Sequence, residues 1–470
     1  MTNWLPDLTE GAGPLYQRLA DTIESDIDKG VIDAGAKLPP QRDLAYDIGT
    51  TVGTVGRAYQ LLRERGLVSG EVGRGTYVLA RRPEPGKADL APAEDTGTRS
   101  AEPPRGKLRF DSTAAPDIGQ GAVIAELLAQ TARDHPHEIA SYTRDFPDRW
   151  HEAGVRWLAR NAFRPEVDAI VPTLGTHAAV MAAIAALTMP GDTIAFEHLT
   201  YSQISRSAGL VGRRTALVLS DSEGIDPDDF ERVCAQKHPK MVFLMPTGQN
   251  PTLAILSAER RAAIARVARQ YNVVLVEDDL YGHLTDDPTP LLAEYAPERT
   301  IVAGGLSKSV AAGVRGGWLS CPPAYRHRIR VAHKMMTGGL PFLLAEVGSR
   351  LVLSGQAAEL RRRSLAEIGA RIAIVRERLA GFAFRAHDNL PFVWLTLPDP
   401  WLSGTFKNAC LEQGVLIDDE DEFKAGRSEQ VSHGARFGIS QPRLRQEVAD
   451  GVGIIRRLLD EGRAGYDSFS

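Results

Sequence analysis

Two hydrophobic patterns divide the chain. Near the N-terminus, Leu15, Leu19, Ile23 and Ile27 recur every four positions, which is typical of one buried face of a helix. Beyond Leu108, short apolar runs alternate with longer helical segments. The pattern therefore predicts a small helical unit followed by a large α/β region.

The N-terminal unit is predicted to contain three helices and a β-hairpin. Breaks at Gly35 and at Pro39 and Pro40 separate the first two helices, and a turn after Ile48 separates the second from the third. Helix, tight turn, helix and hairpin is the layout of a winged helix-turn-helix. The helices are predicted at residues 15–29, 41–48 and 52–65, and the hairpin at residues 67–79.

The large region is predicted to hold a mostly parallel sheet, because its strands alternate with helices such as 178–187 and 258–271. In such sheets ligands bind at the carboxyl ends of the strands. Strands are predicted at residues 169–171, 193–196, 216–219, 241–245, 273–276, 300–303 and 317–320. A smaller α+β domain is predicted from strand-like runs at 392–397, 415–418 and 436–439 and a last helix at 444–459.

A stretch dense in Pro, Gly, Ala, Glu and Thr lies between the two regions and reads as a semi-flexible linker. Its length permits the small unit to pair with its own chain or with a neighbouring one. The predicted divisions are 12–80, winged helix-turn-helix; 81–107, linker; 108–344, large domain; and 345–470, small C-terminal domain.

Composition and hydrophobic patterning indicate the cellular environment that we expect for the protein. Of 470 residues, 43% are hydrophobic and 24% charged, as in ordinary soluble proteins. No apolar run approaches the roughly 18 residues that span a bilayer, and the start of the chain lacks a basic segment followed by an apolar one. We therefore expect a cytoplasmic protein without membrane contact. Cys234, Cys321 and Cys410 lack metal-ligand spacing, so buried thiols are expected rather than disulfides or a zinc site.

The net charge of −5 argues against nucleic-acid binding over the whole surface. Charge is nevertheless distributed unevenly, since residues 35–82 carry eight basic and four acidic side chains. This excess fits one local basic face, and a mixed solvated surface would look much the same.

An amine, a hydroxyl and a guanidinium lie together in the glycine-rich stretch from Gly304 to Trp318. Lys308 follows a predicted strand, with Ser307 before it and Arg315 after it. A lysine held dry loses its proton and forms a Schiff base with an aldehyde, while arginine and serine bind anions. The set predicts an aldehyde cofactor that carries a phosphate. Taken alone, the same pattern also fits a solvated loop lysine.

Candidate partners of this lysine follow other predicted strands. Gly175, Thr176 and His177 open an alanine-rich helix, whose free N–H groups and dipole favour a phosphate. Asp278 ends the most apolar strand and suits a protonated pyridine nitrogen, which keeps a ring electron-withdrawing. Tyr281, three residues later, is placed to meet a ring hydroxyl.

Three more candidates complete the predicted site. Asn250, before a proline, offers an amide to the ring hydroxyl; Tyr201 offers a ring to stack on; and Arg436 offers a planar fork for a carboxylate. Each candidate has a structural alternative. Arg436 fits an ordinary ion pair, Tyr201 a core aromatic, Asp278 a strand-end cap and Thr176 an N-cap. Their joint order along the chain favours the cofactor site.

At residues 14–79 the chain resembles the winged helix-turn-helix of GntR-type bacterial regulators. The motifs are LPPQRDLA (38–45), TVGRAYQLLRERGLV (54–68) and GRGTYV (73–78). Val52 and Gly53 stand where the family usually offers a polar or basic side chain, and Arg57 is expected to compensate. The resemblance implies contacts with double-stranded DNA from Arg42, Thr50, Thr51, Thr54, Arg74 and Thr76.

From Leu108 to Leu459 the chain resembles fold-type I pyridoxal phosphate enzymes, in particular class I/II aminotransferases. The resemblance implies that Lys308 forms the Schiff base, Asp278 meets the pyridine nitrogen and Arg436 binds a ligand carboxylate. The other implied cofactor contacts are Asn250 and Tyr281 to the ring hydroxyl, Tyr201 stacked on the ring, Gly175, Thr176, His177, Ser307 and Arg315 at the phosphate, and Tyr142 at the phosphate of a partner subunit. Three positions depart from the family pattern, namely Gly305 in place of a hydroxyl, His177 in place of glutamine and Leu253 in place of glycine.

The two halves together resemble the MocR subfamily of GntR regulators. The resemblance implies a transcriptional regulator that senses an amino compound, or pyridoxal 5'-phosphate itself, through an internal aldimine at Lys308. It also implies a head-to-tail homodimer with exchanged DNA-binding domains. Two alternatives stay open, a working aminotransferase with an appended DNA-binding module and a DNA-binding protein whose second domain is empty.

Overall fold

The computed structural model describes residues 4–6, 8, 13–33, 35–71, 75–79, 106–427 and 430–469. At the N-terminus these residues form three helices and a three-stranded antiparallel sheet in the order β1-β3-β2. The elements are α1 (Leu15–Asp28), β1 (Lys37–Leu38), α2 (Gln41–Asp47), α3 (Val52–Glu64), β2 (Val68–Glu71) and β3 (Gly75–Val78).

The predicted apolar faces form the core of this unit. Leu19 and Ile23 of α1 pack in one cluster with Val55, Tyr59 and Leu62 of α3, and all five are buried. The Tyr59 hydroxyl donates to the main-chain oxygen of Pro39 at 2.8 Å. The side chain of Thr51 caps α3 by accepting from the N–H of Thr54 at 3.2 Å. The helix-turn-helix with its hairpin is confirmed.

The larger part of the chain contains the remaining elements. Its strands are β4 (Leu108–Arg109), β5 (Ile170–Thr173), β6 (Thr193–Glu197), β7 (Arg214–Val218), β8 (Ser220–Asp221), β9 (Gly224–Ile225), β10 (Met241–Leu244), β11 (Val274–Asp278), β12 (Thr300–Gly305), β13 (Gly317–Ser320), β14 (Phe384–Ala386), β15 (Phe392–Thr396), β16 (Val415–Leu416), β17 (Asp418–Asp419) and β18 (Gly434–Gly438). Its helices are α4 (Gln120–Asp134), α5 (Pro136–Ile139), α6 (Asp148–Leu158), α7 (Gly175–Leu187), α8 (Ser202–Leu210), α9 (Pro227–Lys237), α10 (Ala258–Gln270), α11 (Leu292–Tyr295), α12 (Pro323–Thr337), α13 (Phe342–Leu353), α14 (Gln356–Arg378), α15 (Ser403–Glu412) and α16 (Arg445–Phe469), the last interrupted at Gly462.

The large domain is built on a seven-stranded sheet in the order β5-β13-β12-β11-β10-β6-β7. Strand β13 runs antiparallel to both neighbours, and the other pairs are parallel. Separate hydrophobic clusters cover the two faces, which is why the central strands read as continuous apolar runs. The seven strands predicted for this sheet are confirmed, each within two residues at either end.

The predicted boundary between the large and small domains, at 344/345, is wrong. Helix α13 packs on the large-domain side, where Val347 and Leu351 share a cluster with Trp157. The boundary instead falls inside α14, because Leu360 belongs to that cluster whereas Ile372 packs in the core of the small domain.

The start of the large domain, predicted at 108, is also wrong. Strand β4 pairs in parallel with β16 of the C-terminal region. Phe110, directly after β4, is fully buried in the core of the small domain, so residues 108–110 belong there.

The small domain holds a four-stranded sheet in the order β14-β15-β18-β17. Its last helix, α16, is interrupted at Gly462, close to the predicted end at 459, and a second helical segment follows to Phe469. In the part of the chain that the structure describes, no helix combines the length and apolar composition needed to cross a bilayer. The three cysteines are unpaired and buried.

Candidate functional site

A cavity of about 480 Å³ opens at the carboxyl ends of the parallel strands, where this fold class binds ligands. It gathers candidates that the sequence spreads over more than 250 residues. The predicted residues that line it are Gly175, Thr176, His177, Tyr201, Asn250, Asp278, Tyr281, Ser307, Lys308, Arg315 and Arg436.

Lys308 lies in the turn after β12 and is half-buried. Its Nζ donates to Oγ1 of Thr113 at 2.9 Å, and that hydroxyl also lies 2.8 Å from the Tyr281 hydroxyl. The three groups form a chain along the cavity wall. Thr113 is a site residue that sequence reasoning missed, because nothing in the loop after β4 marks it.

Asp278 ends β11 and is buried, with its Oδ1 accepting from the N–H of Leu280 at 3.1 Å. Burial raises the pKa of this carboxyl to about 7, and the neighbouring Asp279 carboxylate contributes in the same direction. Asp279 itself points elsewhere, into a buried two-point ion pair with Arg160 at 2.9 Å. Asp278 is thus the carboxylate presented to the cavity.

Asn250 is held by the turn that contains it. The Asn250–Pro251 peptide bond is cis. Beside it, the Gln249 side chain donates to the main-chain oxygen of Leu199 at 2.6 Å and to Glu197 at 3.4 Å, and accepts from the N–H of Thr252 at 2.9 Å. The Oδ1 atom of Asn250 accepts from Arg436, so only its amide N–H groups remain as donors for a ligand.

Glu197, which anchors this turn, gives a stability prediction. Burial raises the pKa of Glu197 from 4.5 to about 8. The folded state therefore binds its proton more tightly than the unfolded state does, and stability is lost as pH rises from 4.5 towards about 8. Because glutamine does not ionise, Glu197→Gln should unfold at a higher temperature than the wild type, by a margin that grows over this range.

Thermal unfolding of both proteins at about pH 5 and about pH 8 measures that margin. The buried carboxyls of Glu277 and Asp278 are present in both proteins, so their titration cancels. A margin that stays constant with pH would show that Glu197 is already ionised in the folded protein.

The opposite wall of the cavity is built to receive an anion. Gly175 opens α7 with a left-handed φ of +82°, and Thr176 follows with its Oγ1 buried and without a hydrogen-bond partner in the described structure. A Cβ at Gly305 would lie 2.9 Å from the Gly316 carbonyl oxygen and 3.0 Å from Thr176 Oγ1. The lack of space for a side chain at position 305 thus explains why glycine stands there and not a residue with a hydroxyl group.

Arg315 and Ser307 complete this wall. No carboxylate of the described chain pairs with the Arg315 guanidinium, which lies on the cavity beside the start of α7. Burial lowers the pKa of His177, which favours its neutral imidazole, and its Nε2 lies 3.4 Å from the Ser207 hydroxyl. The ring of Tyr201 stands edge-on to His177 with centroids 6.2 Å apart.

Arg436 departs from its predicted role as an open carboxylate fork. Its Nη1 donates to Asn250 Oδ1 at 2.9 Å, and its Nη2 donates to the main-chain oxygen of Asp111 at 3.1 Å. The same Nη2 forms an ion pair with Asp418, which faces Arg436 across the β17–β18 pair. Sequence reasoning missed Asp418, although oppositely charged residues that face each other on paired strands commonly form ion pairs.

Tyr142 lies outside this cavity. It is 90% exposed and lines a separate surface depression with Arg144 and Leu340. Its predicted contact with a phosphate in another subunit stays a prediction.

The predicted DNA face is partly exposed. Arg42 of α2 and Arg57 of α3 are exposed, and Thr50 and Thr54 are half-buried. Thr51 is exposed, and its hydroxyl is shared between the α3 cap and Thr54 Oγ1 at 2.9 Å.

Thr76 is a correction to the predicted DNA face. It lies in the central strand β3, paired on both sides, and is only 9% exposed, so its side chain packs inside the domain. Arg74 lies outside the described residues.

The donor set fits pyridoxal 5'-phosphate. The unpartnered Thr176 hydroxyl, the N-terminus of α7 and Arg315 would hold its phosphate, and Asp278 would hold its ring nitrogen. The amine of Lys308 would bond to the aldehyde carbon of the cofactor. When bound, this cofactor supplies an aldehyde that condenses with amines and a ring that withdraws electrons.

Two family models match the chain. Residues 131–423, more than half of it, match aminotransferase class I and II, and residues 15–78 match the gntR family of bacterial regulatory proteins.

Several relatives are named as transcriptional regulators. The uncharacterised HTH-type transcriptional regulator YdeF of Bacillus subtilis is 29% identical over 460 residues, which covers 98% of this chain and 97% of YdeF. The vitamin B6 salvage pathway transcriptional repressor PtsJ of Salmonella typhimurium is 27% identical over 326 residues, covering 68% of this chain and 70% of PtsJ.

Solved structures with a similar fold are aminotransferases. An archaeal alanine:glyoxylate aminotransferase has a TM-score of 0.69 at 22% identity, covering 76% of this chain and 91% of that one. The α-aminoadipate aminotransferase LysN of Thermus thermophilus has a TM-score of 0.68 at 22% identity, covering 78% and 94%. The chain therefore belongs to the class I and II aminotransferase family, with pyridoxal 5'-phosphate as its cofactor, and its additional N-terminal GntR domain gives it the two-part organisation of MocR-type regulators.

Proposed function

We propose that this regulator holds pyridoxal 5'-phosphate on Lys308 and changes its affinity for a DNA operator when a small amino compound, or the cofactor itself, enters the cavity. The observation that carries the proposal is the presence in one chain of a winged helix and a cavity that gathers an amine, a buried carboxylate and an anion-binding helix start. A ligand has this effect only if it binds two arrangements of the protein unequally.

We infer that the working form is a homodimer, head-to-tail, with the winged domains exchanged between subunits. The exposure of Tyr142 supports a second subunit, because Tyr142 lies outside the cavity of its own chain and its predicted phosphate contact would have to be to another. A two-fold dimer would present two copies of α3, the second helix of the helix-turn-helix, to two half-sites on DNA. DNA as the partner implies a cytoplasmic protein.

Genomic footprint sequencing tests the regulatory function. We expect discrete protected sites whose occupancy differs between protein loaded with pyridoxal phosphate and protein stripped of it, and the flanking genes would name the pathway. Equal occupancy in both states would contradict the proposal. Multiple turnovers with a natural amino donor and keto acid would instead favour a working aminotransferase.

Arg42→Ala should weaken DNA binding for sequences of every kind. Arg42 is exposed in the first turn of α2, the helix that precedes α3, and phosphate contacts from such positions fix the place of a winged helix on DNA. Each lost phosphate contact lowers the dependence of log K on log salt by about one unit of slope. Titrations of a DNA site selected from a random library, at several salt concentrations, measure that slope.

Lys237→Ala is the matched control. It removes one exposed positive charge from the end of α9 in the large domain, far along the chain from the winged helix. Its salt slope should equal that of the wild type. An unchanged slope for Arg42→Ala would show that Arg42 does not contact the DNA backbone.

A further inference from the structure

The guanidinium of Arg436 is already occupied by acceptors of its own chain. Nη1 donates to Asn250, and Nη2 donates both to the Asp111 main-chain oxygen and to the Asp418 carboxylate. A carboxylate is gripped at two points along one of two edges of a guanidinium, either Nε with Nη2 or Nη1 with Nη2. Both edges include Nη2, so neither is open to a ligand.

The Arg436 side chain is also enclosed by neighbouring side chains. The Arg436 guanidinium lies 4.6 Å from the ring centroid of Phe423 and 5.9 Å from that of Phe392. The side chains of Arg436 and Asp418 are 2% and 8% exposed. Only Nε, also buried, lacks a hydrogen-bond partner in the described structure, and a single donor makes no fork.

A ligand carboxylate would have to displace Asp418 from Arg436. The displaced Asp418 carboxylate would then need another cation as its partner. The nearby cations Arg109 and Lys407 are bonded to Asp111 and Asp419 respectively. Removing Arg436 from Asp418 would therefore leave a buried carboxylate without its main partner, which is costly.

We propose that Asp418 takes the place of a ligand carboxylate on Arg436, so that the cavity selects amines that carry no carboxylate beside the amino group and rejects α-amino acids. This inference rests on the proposed function, in which the cavity receives an amino compound. It makes Asp418 a specificity-determining residue, although it does not line the cavity itself.

Matched probes test the selection. The full chain loaded with pyridoxal phosphate is titrated calorimetrically with 2-phenylethylamine against phenylalanine, and with cadaverine against lysine. In the wild type each amine should bind more tightly than its parent amino acid, by roughly tenfold or more, the scale set by one charge-assisted hydrogen bond. In Asp418→Asn the preference should shrink or reverse, because Arg436 regains an uncompensated charge.

Asp419→Asn is the control, since it removes the same charge from the next residue, which bonds Lys407 rather than Arg436. It should keep the wild-type preference. Tighter binding of the amino acids by the wild type, an unchanged preference in Asp418→Asn, or no binding of any probe by that variant would each overturn the inference. If the loaded protein shows no visible absorbance, the cofactor site itself fails, and both the proposed function and this inference fall.

Discussion

Lys308→Ala is expected to yield a colourless protein. The Nζ of Lys308 is the amine that the cavity presents beside Asp278, and alanine offers nothing to bond a carbonyl carbon. The wild type, purified with added pyridoxal phosphate, should show visible absorbance that survives gel filtration. The variant should lose that absorbance completely, and borohydride reduction followed by mass spectrometry should find no cofactor attached to it.

The same variant tests the link to DNA. If occupancy of the cavity sets operator affinity, Lys308→Ala should bind its selected DNA site equally with and without added cofactor. Lys237→Ala removes a lysine in the same domain and should behave as the wild type in both assays. A wild type that stays colourless, or a variant whose DNA binding still responds fully to the cofactor, would contradict the role of Lys308.

The sequence was enough to expect several candidates at one edge of the sheet, because they follow a strand or open a helix. Lys308 follows β12, Asp278 ends β11 and Gly175 opens α7, and strand ends of one parallel sheet meet at one edge. The alternating pattern alone was therefore enough to expect that they lie together.

Features that depend on pairing between distant segments were not predicted. Helix α14 crosses from one hydrophobic core to another without a break in its sequence, so its pattern gives no sign of the domain boundary. Thr113 reaches the cavity only because β4 pairs with β16, more than 300 residues later. Likewise, the bond between Arg436 and Asp418 depends on the register of β17 and β18.

Asp278→Asn is expected to weaken the binding of pyridoxal phosphate by at least ~30-fold at neutral pH, since loss of one partner from a buried charge pair costs about 2–5 kcal/mol. The carboxylate is buried and would pair with the protonated ring nitrogen, whereas asparagine carries no charge to do so. Equilibrium dialysis at a series of cofactor concentrations measures the affinity. Glu412→Gln, which alters an exposed carboxylate at the end of α15, should leave it unchanged.

The pH dependence of cofactor affinity shows whether Asp278→Asn acts through the lost negative charge or through a changed shape of the site. Burial raises the pKa of Asp278 to about 7 in the cofactor-free protein, so below that pH the carboxyl holds a proton that it must release to pair with a protonated ring nitrogen. Affinity of the wild type should therefore fall as pH drops through about 7. Because Lys308 and the cofactor are the same in both comparisons, the ratio of wild-type to variant affinity isolates Asp278, and that ratio should decrease towards acid pH. A ratio that does not vary with pH would show that the charge of Asp278 does not hold the cofactor.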